Sequence, residues 1–390
     1  MEKENDCIRA YYKLNKFSMT LLGHWPYQSE NSVKIVTFLW IFQHLSILLP
    51  ELIKFVEIRN NVDYVILAFS PIIYNIVVGI KFVNGSLNRH KIKITLDTIQ
   101  SDWKSLRTEE EARILANYSS FGKLCTVGWA WICTTTIICY LLFPFTPFVL
   151  DLIRPLNETR PRQLIYMVEF FIDEDKYFYE IQIHSYATTL IGFIPLISID
   201  TFYAASVQHA CGMFAILGHR LRRINGAMSK SKKRSDEDAY REIVSCAIQH
   251  DKILQYCDNL NDTYTDSFFY IMGCNMISLS FCGVLLILMW GRIYDMLRNG
   301  IFTFAQIFHL FYYSFQGQVL SDRSLMISDC VYDSEWYTAS LRTRKIMTMV
   351  SMRSLKPFLL TAKVYVMSLP NFTLVIKTSM SYFTVLKSSR

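Results

Sequence analysis

Seven long stretches of this chain are nearly free of charge, and that limits its fold more than any other feature. Leu124–Leu150, Ser267–Trp290 and Asn299–Ser321 contain no Asp, Glu, Lys or Arg. Tyr64–Ile80 is a shorter clean run, and Ile181–Leu217 is interrupted only by Asp200. Val33–Ile58 is clean from Ile35 to Pro50, and Val364–Leu386 carries one charge, Lys377. A helix crossing the hydrocarbon core needs ~20 largely apolar residues. Buried core helices could mimic one or two of these runs, but not seven. The chain therefore reads as an all-α membrane protein with seven transmembrane helices in one membrane domain, 1–390. Composition agrees: 19% of the residues are charged, against ~25% in soluble proteins. The 57 aromatic residues exclude a disordered chain.

Lys and Arg placement sets the orientation. The amino terminus and segments 81–118, 218–265 and 321–363 hold 27 basic residues, and the alternating segments hold nine. The basic set belongs in the cytosol, which puts the amino terminus inside and the carboxyl terminus outside, the reverse of a G-protein-coupled receptor. No signal peptide with an early apolar core and small-residue cleavage site is visible before residue 33, so the first span is expected to remain in the mature protein. The outer segment 145–182 carries the sequon Asn157-Glu158-Thr159, which makes Asn157 the realistic glycosylation candidate.

The residues argue against an enzyme. HExxH, GxSxG, P-loop and GxGxxG patterns are absent. The ten cysteines show no CxxC or Cys/His spacing, so packing thiols are expected, with no metal site and no cofactor. His184, His209 and His309 fall in spans, where a hydrogen-bonded histidine is the simpler expectation. Lys230–Arg234 fits a topology signal or contact with anionic lipid headgroups rather than nucleic acid.

In the last span, Leu374, Thr378, Ser381, Val385 and Ser388 share one small, mildly polar helix face. Helix packing by small residues, with hydroxyls bonding back to the preceding turn, explains such a face. A pore-lining stripe that tolerates water explains it equally well. Lys377 lies at its edge, and a mid-span ammonium needs water, a partner or the interface. A continuous helix over Ile181–Leu217 would run ~55 Å against a ~30 Å core. Its end should reach the cytosol, where Trp336–Met352 could join it in a helical platform suited to subunit contact.

These residues resemble a known family. Ser368-Leu369-Pro370-Asn371-Phe372, followed by Ser381-Tyr382-Phe383-Thr384-Val385-Leu386, resembles the last-helix signature of insect odorant receptors. Gly317, Leu320, Tyr332, Trp336-Tyr337 and Lys363 fit the same ungapped pattern, as does Asp262-Thr263-Tyr264. The amino-terminal half matches in topology and general character. The chain looks like an odorant-tuning subunit rather than the shared co-receptor, whose long cytosolic insertion is missing from 218–265.

The resemblance implies a ligand-gated, non-selective cation channel, a heterotetramer with the co-receptor around a central pore lined by the last helix. It places the protein in the plasma membrane of sensory neuron dendrites. Val385 matches the hydrophobic gate, with Ser381, Ser388, Thr378 and Lys377 on or beside the pore face. Ser388 stands where the co-receptor has Gln, and Lys377 where it has Gly, so conduction by homomers is doubtful. The resemblance assigns 33–217 and 267–321 mainly to the ligand-binding bundle. It assigns 322–363, with Trp336 and Tyr337, to a cytosolic subunit anchor, and 364–390 to the pore helix. Rough alignment brings Tyr74, Ile132, Thr135, Cys139, His184, Thr188, Met276 and Leu279 toward a pocket for a small hydrophobic volatile ligand. Each of these positions is equally consistent with ordinary core packing. A gustatory receptor is the nearest rival, but its last helix follows Thr-Tyr with Gln-Phe, where this chain has Lys387-Ser388.

Overall fold

A computed structural model describes residues 6–153, 160, 162–226, 236–288 and 293–388. Asn157 and the Lys230–Arg234 cluster lie outside the described residues. Two short helices, α1 (Asp6–Tyr11) and α2 (Lys13–Leu21), precede α3 (Glu30–Glu57) and α4 (Val62–Leu87). Then come α5 (Arg89–Lys104), α6 (Glu109–Leu142), α7 (Thr146–Ile153), α8 (Phe178–Gly226) and α9 (Asp236–Leu288). The chain ends with α10 (Ile293–Tyr332), α11 (Leu341–Ser354), the strands β1 (Thr361–Ala362) and β2 (Tyr365–Val366), and α12 (Leu369–Ser388).

The seven apolar runs fall in α3, α4, α6, α8, α9, α10 and α12. Among the described residues, four segments are long and apolar enough to cross a membrane by composition: Glu30–Asn60, Leu67–Leu87, Glu109–Ile153 and Phe178–Ile224. Helix α3 shows why. Only a narrow stripe of it is buried, from Trp40 through His44 and Ile47 to Glu51. Phe38, Leu39, Phe42, Leu49 and Val56 point outward. An apolar surface this continuous is stable against lipid and not against water.

Helix α8 is the axis of the bundle, packing most extensively against α6 and α10. Every described side chain from Ser198 to Met213 is buried, as expected of a helix enclosed on all sides. Its 49 residues span about 74 Å at 1.5 Å per residue, so it extends well beyond a bilayer core. Helices α9 and α10, with 53 and 40 residues, do the same. Helix α11 packs on both of them, forming a helical platform. Segment 218–265, one of the basic segments expected in the cytosol, is helical wherever it is described.

Local signals explain several element ends. Thr108 caps α6 by accepting from the Glu111 backbone N–H at 3.2 Å, and Glu111 accepts from the Arg107 N–H at 2.8 Å. Glu109, Glu110 and Glu111 lie in that first turn, where carboxylates suit the helix dipole. Glu111 is also held by Arg220 of α8 through two bonds of 2.7 Å, which locks α6 to α8 at the platform end. The hairpin turns at Lys363 with φ of 56°, and Lys363 Nζ lies 2.9 Å from an Asp266 carboxylate oxygen. Gly317 lets this hairpin reach α10: a Cβ there would come within 2.2 Å of the Met367 carbonyl oxygen. The ten cysteines are all unbridged.

Candidate functional site

Between α4, α6, α8 and α10 lies a cavity of about 130 Å³. Each helix contributes side chains at helical spacing. From α6 come Trp129, Cys133, Thr136 and Tyr140, and from α8 Thr189, Phe193 and Leu196. Tyr74 and Val77 of α4 form another wall, beside Pro71, whose ring removes one backbone bond of that helix. Helix α10 adds Phe302, Ala305, Gln306, Phe308 and His309, α9 adds Asn275, and Tyr166 comes from the segment before α8. The cavity is therefore mostly aromatic and aliphatic with a few polar groups, the usual composition of a small-molecule site.

Beneath it sits a fully buried charge cluster. Lys81 Nζ lies 2.5 and 2.6 Å from the two carboxylate oxygens of Asp200. It also donates to Tyr313 Oη at 2.8 Å, and His309 Nε2 lies 2.8 Å away. Tyr313 in turn donates to Asp200. Lys81 and Asp200 are both wholly buried. A charge in the middle of a bundle is stable only when paired and hydrogen-bonded, and the cluster joins α4, α8 and α10 in this way. Trp129 stacks over His309 with ring centroids 5.5 Å apart, so the same histidine belongs to the cavity floor and to the cluster. Lys81 was counted above among the cytosolic loop charges. It lies within α4 as the partner of Asp200 and carries no topological information, and the bias of the remaining basic residues is unchanged.

Tyr74 and Ile132 line the cavity. Thr135, Cys139 and Met276 are exposed, and the cavity is instead met by their neighbours Thr136, Tyr140 and Asn275. One residue along a helix is a turn of about 100°, enough to exchange the interior for the lipid face. Thr188 is buried but bonds back to the Ser185 carbonyl at 2.9 Å, while Thr189 lines the cavity. His184 pairs with the Ser46 hydroxyl at 2.9 Å between α8 and α3. Leu279 is a core residue off the cavity wall.

Helix α12 packs on α9 and α10 through Val375 and through Phe372, whose ring meets Phe311 at 5.7 Å. Leu374, Lys377 and Ser381 are exposed, so that side is left uncovered by the described residues. The Thr378 hydroxyl, half-buried, donates to the Leu374 carbonyl at 2.8 Å, and Ser381 to the Lys377 carbonyl at 3.0 Å. Val385 and Ser388 lie on the same helix, with side chains outside the described residues. Trp336 and Tyr337 form a short exposed turn between α10 and α11. His209 bonds to Asp102 at 2.9 Å. Like His184 and His309, it is a packed, hydrogen-bonded histidine, and no metal-binding group of His, Cys, Asp or Glu occurs among the described residues.

A family model described as 7tm Odorant receptor matches residues 61–380. Odorant receptor Or2 of Anopheles gambiae is 24% identical over 329 residues, 82% of each chain. Odorant receptor 22a of Drosophila melanogaster is 23% identical over 313 residues, 78% of this chain and 71% of that one. Two structures of the olfactory receptor OR5 from Machilis hrabei, one in complex with eugenol, cover the full length of both chains. Their TM-scores are 0.81 and, for the complex, 0.80, at 14% and 12% identity. At such identity the superposition establishes the fold alone.

Proposed function

The chain belongs to the odorant receptor family, and from that premise we propose that it is an odorant-tuning subunit of a ligand-gated, non-selective cation channel. It binds a small apolar volatile in the cavity between α4, α6, α8 and α10 and opens a pore formed together with co-receptor subunits. The observation that carries this reading is the cavity itself. It is lined by aromatic and aliphatic side chains and is roughly the size for a single small molecule.

The pore is assigned to α12, within 364–390. The side bearing Leu374, Lys377 and Ser381 is exposed among the described residues, which suits a wall completed by other subunits. Val385 is the proposed gate, with Ser381, Ser388 and Thr378 along the same face. Segment 322–363, with the exposed Trp336 and Tyr337, is the proposed subunit anchor, and 33–217 with 267–321 forms the binding bundle. The protein acts in the plasma membrane of a sensory dendrite with its amino terminus in the cytosol.

The test is a panel of small volatiles applied to cells expressing this chain with a co-receptor, the chain alone, or the co-receptor alone. Ligand-evoked cation current specific to the pair is expected. A ligand that binds this chain yet evokes current only through G-protein activation would sink direct gating. Val385→Ala is expected to raise basal current. Unchanged gating and permeation at normal surface abundance would remove Val385 from the pore.

A further inference from the structure

Among the described elements that border the cavity, α9 and α10 are the two that also pack extensively on α12. Helix α9 gives the cavity wall Asn275, whereas α10 gives it six side chains, Phe308 among them. Within this chain, α10 is therefore the main mechanical route from the cavity to α12. A chain of rings runs along that route. The Phe308 ring lies 6.0 Å from that of Phe311, and Phe311 meets Phe372 of α12 at 5.7 Å with 70° between the planes. Rings at such spacings have preferred relative orientations, and close-packed side chains pass a displacement on instead of absorbing it. Phe311 itself is off the cavity wall.

The start of α12 is held on the same helix. The Leu369 N–H donates to the Gln318 side-chain oxygen at 3.3 Å, and the Met367 carbonyl sits against Gly317. Phe372 lies about 4.5 Å along the helix from Leu369, and Val385 about 24 Å, at 1.5 Å per residue. A helix held at its first turn and displaced at Phe372 turns about the held end. The movement at Val385 is then about fivefold larger than at Phe372, so a small shift of the rings is enlarged at the proposed gate.

We propose that Phe311 is the positioning residue that transmits occupancy of the cavity to α12, passing displacement of the Phe308 ring on to Phe372. The proposal rests on the channel reading and deepens it by naming the link between ligand and pore helix. Because the link acts within one chain, it can be measured apart from current.

Toluene, a single ring suited to a cavity of about 130 Å³ with aromatic walls, is the probe. Its dissociation constant is read from the ligand dependence of thermal unfolding of the full-length chain in detergent. Its effect on α12 is read from amide hydrogen exchange of the same samples. In the parent, saturating toluene is expected to change exchange across Leu369–Ser388 by about fivefold, the low end of coupling between linked sites. Phe311→Ala should bind toluene within about twofold of the parent, as expected of a residue off the wall, yet lose the exchange response. Phe372→Ala should do the same, and the double variant should be no worse than either single, because both break one link. Phe311→Leu is the second variant should alanine prevent folding. Phe304→Ala is the control. Phe304 also stacks on Phe308, at 6.3 Å, but is an exposed ring one turn before it, and its loss should leave the response intact. No binding of toluene, no exchange response in the parent, or a response that survives Phe311→Ala would overturn the proposal, as would equal loss in Phe304→Ala. Evoked currents on the same variants separate the two readings. An exchange response that depends on Phe311, with no current in the presence of co-receptor, would contradict the channel assignment and leave the link standing. Current in Phe311→Ala at unchanged toluene sensitivity would remove the link and leave the channel.

Discussion

Replacing Lys81 by Met isolates the energetics of the buried charge cluster. The change removes the ammonium and preserves most of the side-chain volume. At 2.6 Å from a carboxylate oxygen, the ammonium contributes roughly 6 kcal/mol of attraction at an effective dielectric of about 20. Desolvating the two ions offsets most of that, so the pair adds little net stability. Its removal is different. Asp200 would remain wholly buried with Tyr313 as a donor and His309 at 3.3 Å as its remaining partners. Losing one member of a buried pair typically costs 3–5 kcal/mol. Because Tyr313 and His309 stay in place, the lower end, about 3 kcal/mol, is expected here. In Lys81→Met/Asp200→Asn no charge is stranded, and about 2 kcal/mol or more should be recovered in a double-mutant cycle. The assay is reversible unfolding in mixed micelles by tryptophan fluorescence, supported by surface labelling in cells. A Lys81→Met protein as stable as the parent, or strictly additive losses in the double variant, would refute the cluster as the tie between α4, α8 and α10.

Two further outcomes follow from local geometry. Burial lowers the His24 imidazole to about 3, in a segment ahead of the first span, where its Nε2 lies 3.2 Å from the Ser86 hydroxyl. The unfolded chain takes up a proton near pH 6.5 and the folded chain does not. Stability is therefore fully present above that pH and falls as pH drops, by about 2 kcal/mol at pH 5 from this group. His24→Gln should flatten the stability profile between pH 6.5 and 4, and an unchanged slope would contradict the assignment. Gly317→Ala would place a methyl 2.2 Å from the Met367 carbonyl oxygen, with backbone rather than a flexible side chain in the way. A loss of about 1–3 kcal/mol is expected, and a neutral effect in micelle unfolding would show that the hairpin can move aside.

The spans were legible because uncharged length is a local property. The seven runs fall in seven helices, and the excess length of Ile181–Leu217 already pointed to a helix longer than a bilayer core is thick. The charge cluster was half visible. Asp200 stood out as the sole interruption of its run, but its partner lies 119 residues away. Lys81, one position past a clean run, read as a loop charge. Only the packing of α4 on α8 identifies the pair. The cavity shows the same limit in another form. Thr135 and Cys139 were placed one residue out of phase with Thr136 and Tyr140, because alignment to a distant pattern does not fix rotation about the helix axis to better than 100°. Counting from Trp129 through Cys133, Thr136 and Tyr140 gives the stripe that lines the cavity, but the exposed Trp131 on the same helix is an equally aromatic competitor in the sequence. Gln306 and Asn275 carried no sequence signal of their own. Their importance comes from placement on the cavity wall, a product of tertiary contact. The two-residue strands of the hairpin were equally invisible, being too short to show an alternating pattern.

The central claim is that a ligand in this cavity opens a pore directly, and it is tested by recording from inside-out patches in nucleotide-free solution. Cells would express the co-receptor with the parent chain, with Thr136→Phe, which fills the cavity, or with Thr135→Phe, which adds a ring on the exposed face. The account expects ligand-evoked cation current without GTP in the parent and in Thr135→Phe. Thr136→Phe should lose it, or require at least tenfold more ligand, at matched surface abundance. Current that vanishes without GTP, or that survives Thr136→Phe at unchanged ligand sensitivity, would contradict it.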